Sequence, residues 1–244
     1  MQVAAITDIH ANLPALEAVL EAVDDAGVEE IWCLGDVVGY GAQPDACTEL
    51  VRERCQLCLA GNHDLAVLGE LDIASFSEAA AAAVDWTREN IAESTLDFLR
   101  ELDPSAQRGG LGLFHGSPRD PVWEYVLSIE QAEACMSVQP ERIGLIGHSH
   151  VSLFFTASDD GDEPQGGQAG DGATLDLAAG SWLINPGSVG QPRDSDPRAA
   201  WLELDTEKAT ARFHRVVYPI DSAAQSIVAA GLPQRLADRL YAGL

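Results

Sequence analysis

Leu57-Cys58-Leu59-Ala60-Gly61-Asn62-His63-Asp64 is apolar for four residues, breaks on a glycine and then delivers three polar side chains in succession. Such a run suits an interior strand of a parallel sheet, and open α/β sheets bind ligands just beyond the carboxyl ends of their strands. The arrangement recurs at Val3-Ala4-Ala5-Ile6 before Asp8 and His10, and at Ile31-Trp32-Cys33-Leu34 before Gly35-Asp36. It recurs again at Leu111-Gly112-Leu113-Phe114 before His115, and at Ile143-Gly144-Leu145-Ile146 before Gly147-His148-Ser149-His150. Five strand ends are therefore expected to converge on one place. A lone histidine is ordinarily a hydrogen-bonded structural residue. Here, of 6 histidines, only His214 lies outside these segments, a concentration that a scatter of structural histidines does not produce.

A chain of 244 residues can bury a large core. The candidate ligands run from Asp8 to His150 with no linker between them, so one domain closing around one centre is expected. A hydrophobic content of 46% with 22% charged residues is that of a globular protein, not a disordered one. No apolar run approaches the ~18 residues of a membrane span. The chain begins a strand within three residues, without a basic segment leading an apolar one, so no secretory signal is expected and the cytoplasm is the default location. The formal charge of -25 repels nucleic acid and anionic membranes and argues against a general nucleic-acid binder. It does not forbid an anionic substrate, because bound divalent metals are the largest charges in a site and reverse the local potential. Five cysteines are an odd number in a chain without a signal, which favours reduced thiols. The pair Cys55-x-x-Cys58 has no partner pair at zinc-site spacing and reads as buried structural thiols.

Along the chain, Asp8 and His10 stand two apart after the first strand, and in extended backbone such side chains share a face. Asn12 caps a helix with apolar Leu16, Val19, Leu20 and Val23, ended by Gly27. Its N-terminus opens toward the site, where backbone N–H groups favour anions, so Asn12 is a candidate substrate contact. Gln43 to Arg54 reads as a helix. Ser75-Phe76-Ser77-Glu78 reads as a capping box before the alanine-rich run to Asn90, Ser94 as the start of the next helix, and Ser128-x-x-Gln131 as the cap of another. Residues 158–172, rich in Gly, Asp and Gln, read as a solvated hairpin loop without chemistry. Ala199 to Asp205 and Ala211 to Tyr218 alternate as hairpin strands, with His214 structural and Arg212 and Arg215 facing outward. Helices from Ser222 to Ala230 and from Gln234 to Leu240 close the chain.

Asp8, His10, Asp36, Asn62, His115, His148 and His150 form a mixed oxygen and nitrogen donor set without thiolate, enough for two adjacent divalent cations. Such a set suits manganese, iron or zinc, and also accepts nickel or cobalt. Asp36 is the natural bridge, since its two oxygens can serve two cations where a terminal imidazole serves one. Two metals ~3.5 to 4 Å apart share a water, lower its pKa from ~15.7 toward ~7, and clamp the oxygens of an in-line displacement. That chemistry is phosphate-ester hydrolysis.

The succession D-x-H, G-D, G-N-H-D, H and G-H-x-H closely resembles the calcineurin-like metallophosphoesterase superfamily over residues 1 to 150. His115-Gly116-Ser117-Pro118 and Asn185-Pro186-Gly187-Ser188-Val189-Gly190 are similar to its small bacterial branch. The resemblance implies an α/β fold, a four-layer sandwich of two mixed sheets flanked by helices. It also implies that Asp8, His10, Asp36 and His150 hold one metal, that Asp36, Asn62, His115 and His148 hold the other, and that His63 is the acid near the leaving group. Phosphoprotein phosphatases and diadenosine tetraphosphate hydrolases of the superfamily carry an aspartate and arginine soon after the second motif. Here those places read Val38-Gly39-Tyr40, so Arg119 and Arg193 are the candidate phosphate-gripping replacements, set against the plain reading of solvated loop arginines. The expected substrate is a phosphorylated small molecule, monoester or diester. The contrasting reading is a metal-binding interaction scaffold that keeps the fold without turnover; an intact His63 argues against it, since a scaffold does not need the acid.

Overall fold

The computed structural model describes residues 1–158 and 163–244. Strand β1 (Gln2–Ile6) shows why the layers form: Val3 and Ala5 enter one apolar core while Ala4 and Ile6 enter another. A strand that alternates between two buried faces must be covered on both. Helix α1 (Leu13–Ala26) covers the outer face with Leu16, Val19, Leu20 and Val23. Asn12 Oδ1 accepts from the Ala15 amide at 3.3 Å at its start, and Gly27 ends it in the left-handed region at φ 69°.

Strands β2 (Glu30–Cys33) and β3 (Leu57–Cys58) run parallel to β1, and α2 (Pro44–Arg54) lies between them in sequence. β11 (Ala199–Asp205), β12 (Thr210–Val216) and β9 (Thr174–Asp176) continue the first sheet antiparallel, in the order β3-β2-β1-β11-β12-β9. The second sheet is built from β4 (Ser105–Arg108), β5 (Leu111–Phe114), β6 (Ile143–Leu145), β10 (Ser181–Asn185), β7 (Leu153–Ala157) and β8 (Gln165–Gln168), in that spatial order. Between the sheets Trp32, Leu34, Leu113, Leu145, Ile184 and Phe213 make the central core. Helix α6 (Ile129–Met136) packs Ala132 and Cys135 on the far side of the second sheet, so the layers run helix, sheet, sheet, helix. The remaining helices are α3 (Asn62–Leu68), α4 (Glu78–Asn90), α5 (Glu93–Arg100), α7 (Ile220–Ala229) and α8 (Gln234–Ala242).

Several local expectations change. Leu57-Cys58 is a two-residue edge strand, not an interior one, and its side chains are half-buried. The alanine-rich helix is capped by Ser77, whose Oγ accepts from the Ala80 amide at 3.3 Å; Ser75 instead ends a single 3₁₀ turn, Ile73–Ser75. The next helix starts at Glu93. Of residues 158–172, expected as a solvated loop, Gln165–Gln168 form β8 against β7, Ala169 is buried, and 159–162 lie outside the described residues. Arg215 does not face outward, because its guanidinium is buried in an ion pair with Asp194. His214 stacks on Trp201 with ring centroids 4.2 Å apart and bonds Glu203, a structural role. All five cysteines are free. No helix among the described residues is long and apolar enough to cross a membrane.

Candidate metal centre

The candidate ligands stand on loops that leave β1, β2, β5 and β6 and on the first turn of α3. These loops lie almost backbone to backbone: Asp8 N donates to Gly35 O at 3.0 Å and His10 N to Asp36 O at 2.9 Å. A Cβ on Gly61 would fall 2.0 Å from Asp36 Oδ1, and one on Gly190 would fall 1.8 Å from Ile9 O, so only glycine permits these approaches. The loops are also sharply bent. Asp8, His10, Asp36, His148 and His150 all have positive φ, between 50° and 63°, a region that non-glycine residues rarely adopt. Asp8 and His10 therefore do not point together through strand alternation. Both sit in left-handed backbone that turns their side chains into the same cleft.

The side chains make two groups that share one residue. Ligand atoms of Asp8, His10, Asp36 and His150 lie within 4.8 Å of one another, and so do those of Asp36, His115 and His148. Asn62 joins the second group, its Oδ1 3.2 Å from His115 Nε2. All seven sequence-predicted ligands are thus brought together, and each is at least 95% buried. Asp36 serves both groups differently from the expectation. Its Oδ1 accepts from the His63 amide at 2.8 Å, and Oδ2 alone lies 3.5 Å from the Nε2 atoms of both His10 and His115. Asp8 follows the same plan. Thr7 Oγ1 and the His148 amide donate to its Oδ2 at 2.9 and 3.1 Å, and its Oδ1 has no partner.

Those orphaned atoms test whether cations fit. Asp8 Oδ1, Asp36 Oδ2 and His148 Nε2 are buried without a hydrogen-bond partner, which native interiors avoid. His10 Nδ1 donates to Val38 O at 3.1 Å, and His150 Nδ1 to Gln191 O at 2.7 Å. Burial drives both rings well below the usual histidine range, so they are neutral and their Nε2 atoms carry lone pairs. These Nε2 atoms face each other at 3.1 Å. Two lone pairs at that distance repel, and a cation between them removes the repulsion. Burial also pushes the Asp8 carboxyl up to about 7 and Asp36 well above the carboxylate range, the latter raised further by Asp64. The donor set therefore fits divalent cations, with Nδ1–H groups anchored on backbone carbonyls orienting each ring.

A cavity of about 690 Å³ opens on this centre, with His63, His148 and His150 among its lining. The His63 ring is 3% exposed, its Nδ1 has no partner, and burial followed by Arg193 lowers its pKa. Arg193 lines the cavity, donating from Nη2 to Gln191 Oε1 at 3.0 Å and to Tyr40 Oη at 3.3 Å. Arg119 does not line it, since its exposed guanidinium is ion-paired with Glu124. Nor does Asn12, whose amide is used by Ala15, Gly190 and Tyr218.

Sequence reasoning passed over several contributors. Asp64, fully buried, accepts from the amides of Gly61, Val38 and Val37 at 2.9, 3.1 and 3.3 Å and so ties the Asn62 loop to the Asp36 loop. Its position three residues after Gly61, where a carboxylate can cap α3, was the available signal. Ser188 Oγ donates to Asp8 O at 2.8 Å, and Asn185 Nδ2 to Gly147 O at 2.6 Å, so one loop braces two ligand segments. Aromatic rings wall the cavity: Tyr125 stacks on His148 at 4.0 Å, and Phe76 bridges His63 at 5.0 Å and Trp123 at 5.4 Å.

Comparison with known proteins gives concordant matches. The family model for the calcineurin-like phosphoesterase superfamily domain matches residues 1–207. An uncharacterized protein of Methanocaldococcus jannaschii is 36% identical over 246 residues, covering 99% of this chain and 98% of that protein. The crystal structure of a metallophosphoesterase from Sphaerobacter thermophilus matches with a TM-score of 0.88 at 40% identity, covering 100% of this chain and 99% of the other. A hypothetical protein from Pyrococcus horikoshii shares the fold at a TM-score of 0.81 and 21% identity, with 100% and 98% covered.

Proposed function

The chain belongs to the calcineurin-like phosphoesterase superfamily, and from that premise we propose that it hydrolyses phosphate esters with two divalent cations. The observation that carries this reading is Asp36 Oδ2, buried, without a hydrogen-bond partner and 3.5 Å from an imidazole nitrogen of each ligand group. Asp8, His10, Asp36 and His150 would hold one cation, and Asp36, Asn62, His115 and His148 the other. Manganese, iron and zinc suit these donors best, and nickel or cobalt are compatible. When bound, such a pair lowers the pKa of a shared water to about 7 and neutralises charge on the phosphoryl oxygens.

The chain's own residues do the rest. Arg193 presents a guanidinium with no carboxylate partner among the described residues, suited to a phosphoryl oxygen. Asp64 and Ser188 keep the ligand loops in place. His63 lines the cavity beside Asn62 with its Nδ1 unpartnered, where a protonated ring would give a departing alkoxide the proton it needs. Monoesters and diesters can share such a centre, and the cavity walls choose between them. A phosphorylated small molecule in the cytoplasm is the proposed substrate, because the -25 charge disfavours nucleic acid.

Metal analysis of the purified protein, with hydrolysis of 4-nitrophenyl phosphate and bis(4-nitrophenyl) phosphate in added manganese, tests the reading. Two bound cations with turnover of either ester is the expected result. Two bound cations without turnover of any phosphate ester would leave the metal-binding scaffold.

A further inference from the structure

The cavity on the metal centre does not end at Arg193. A second cavity of about 350 Å³ adjoins it, and the two share Tyr40, Ser77 and Arg239 in their linings. Arg239 and Arg235 stand one turn apart on α8, where residues four apart occupy the same helix face. Neither forms an ion pair with a carboxylate side chain among the described residues, although the chain carries 39 acidic residues and most of its arginines are so paired. Arg239 spends its Nε on a main-chain oxygen of Leu244, the last residue, and its Nη atoms have no partner among the described residues. Asp36, already committed to the centre, is the one carboxylate in the two linings. Like charges four apart on a helix repel, so an arrangement of Arg193, Arg239 and Arg235 with no side-chain carboxylate paired to any of them among the described residues is one an anion would relieve. Burial and the nearby Arg193 accordingly lower the Arg239 pKa.

We propose that Arg239 and Arg235 form a second anion subsite, so that the substrate is an ester bearing a second phosphate or phosphonate-like dianion beyond the scissile group. The inference rests on the reading above, in which the metals and Arg193 take the first phosphate. Guanidinium groups contact phosphate oxygens in charge-assisted bonds, strong enough singly to shift affinity ~10-fold.

The test is equilibrium binding to the metal-loaded full chain, by calorimetry, of methylphosphonate and methylenediphosphonate, neither of which is hydrolysed; metal content is measured after each titration. The wild type is expected to prefer the diphosphonate by at least ~10-fold, and the Arg235→Leu/Arg239→Leu variant to lose most of that preference. Arg235 is exposed with no side-chain partner among the described residues, so Arg235→Gln keeps the fold and should lower the ratio in part. An unchanged ratio in both variants, or an equal loss for both probes, overturns the subsite. Since no turnover is read, a chain that prefers the diphosphonate yet hydrolyses no ester would overturn the proposed reaction and leave the subsite standing.

Discussion

The His63 amide donates to Asp36 Oδ1 at 2.8 Å, which commits one oxygen of that carboxylate to the protein and leaves the other for the shared space between the ligand groups. This bond fixes the outcome of Asp36→Asn. The amide must keep its oxygen toward the His63 N–H, so its NH₂ lands where Oδ2 was, and an NH₂ cannot ligate a cation. Both metals should be weakened together. Metal content after gel filtration is expected to fall from two per chain toward zero with the circular dichroism unchanged, and a variant holding two cations with full activity would remove Asp36 from the bridge.

His63→Ala separates proton donation from metal binding. The variant should retain its metals, lose ~10² to 10⁴ in rate toward an alkyl phosphate and lose less toward an aryl phosphate, whose phenolate departs unprotonated. Paired kinetics with metal analysis on the same samples decide it. Equal losses would assign the ring to the phosphoryl oxygens instead.

Asp64→Ala strips three buried amides, those of Gly61, Val37 and Val38, of their acceptor. A loss of roughly 2 to 5 kcal/mol is expected, with Asp64→Asn between it and the wild type because one oxygen remains. Thermal unfolding should show it as a drop on the order of 5 to 15 °C. A shift within 1 to 2 °C of the wild type would mean that these loops are held elsewhere.

Metal stabilisation should depend on pH. In the metal-free protein the Asp8 carboxyl titrates at about 7 against an ordinary value of 3.8. A raised carboxyl supports the fold fully while protonated in both states and withdraws that support as the pH climbs through its folded value. A cation replaces the proton across that window, and His10 and His150, already neutral, release none. The rise in Tm on adding manganese should therefore grow from about pH 5.5 to about pH 8. A rise independent of pH would show that neither Asp8 nor Asp36, whose carboxyl is also raised by burial, carries a proton there.

Removing residues 165–168 should lower Tm and promote association, because β8 covers the edge of β7 and an open edge recruits other chains. Sedimentation of the deletion variant measures both effects. An unchanged, monodisperse variant would mean that β8 contributes nothing.

The candidate ligands were legible because each follows an apolar run, and a polar residue at a strand end is a local signal. β8 was not: Gln165-Gly166-Gly167-Gln168 has no apolar alternation, and it is a strand only through backbone pairing to Leu153–Thr156. The capping box at 75–78 was ambiguous in principle, since Ser75 and Ser77 both precede helix formers. Phe76, held 5.0 Å from His63, goes with the choice of Ser77. Trp123 and Tyr125 lie in a loop without periodicity, and their place in the wall depends on His148, more than twenty residues away in sequence. Arg119 and Arg193 looked alike as loop arginines; a neighbouring acid, Glu124, separates them.

Five of the nine described non-glycine residues in left-handed backbone are candidate metal ligands. Each such residue stores on the order of 1 to 3 kcal/mol, so the centre is where this chain and its own stability are at odds. Propagated under selection for thermal tolerance alone, with turnover unmonitored, the gene would drift first at Asp8, His10, Asp36, His148 and His150, toward glycine or asparagine. A collection of heat-selected variants would then chart the candidate ligand loops in reverse, by the residues that it discards.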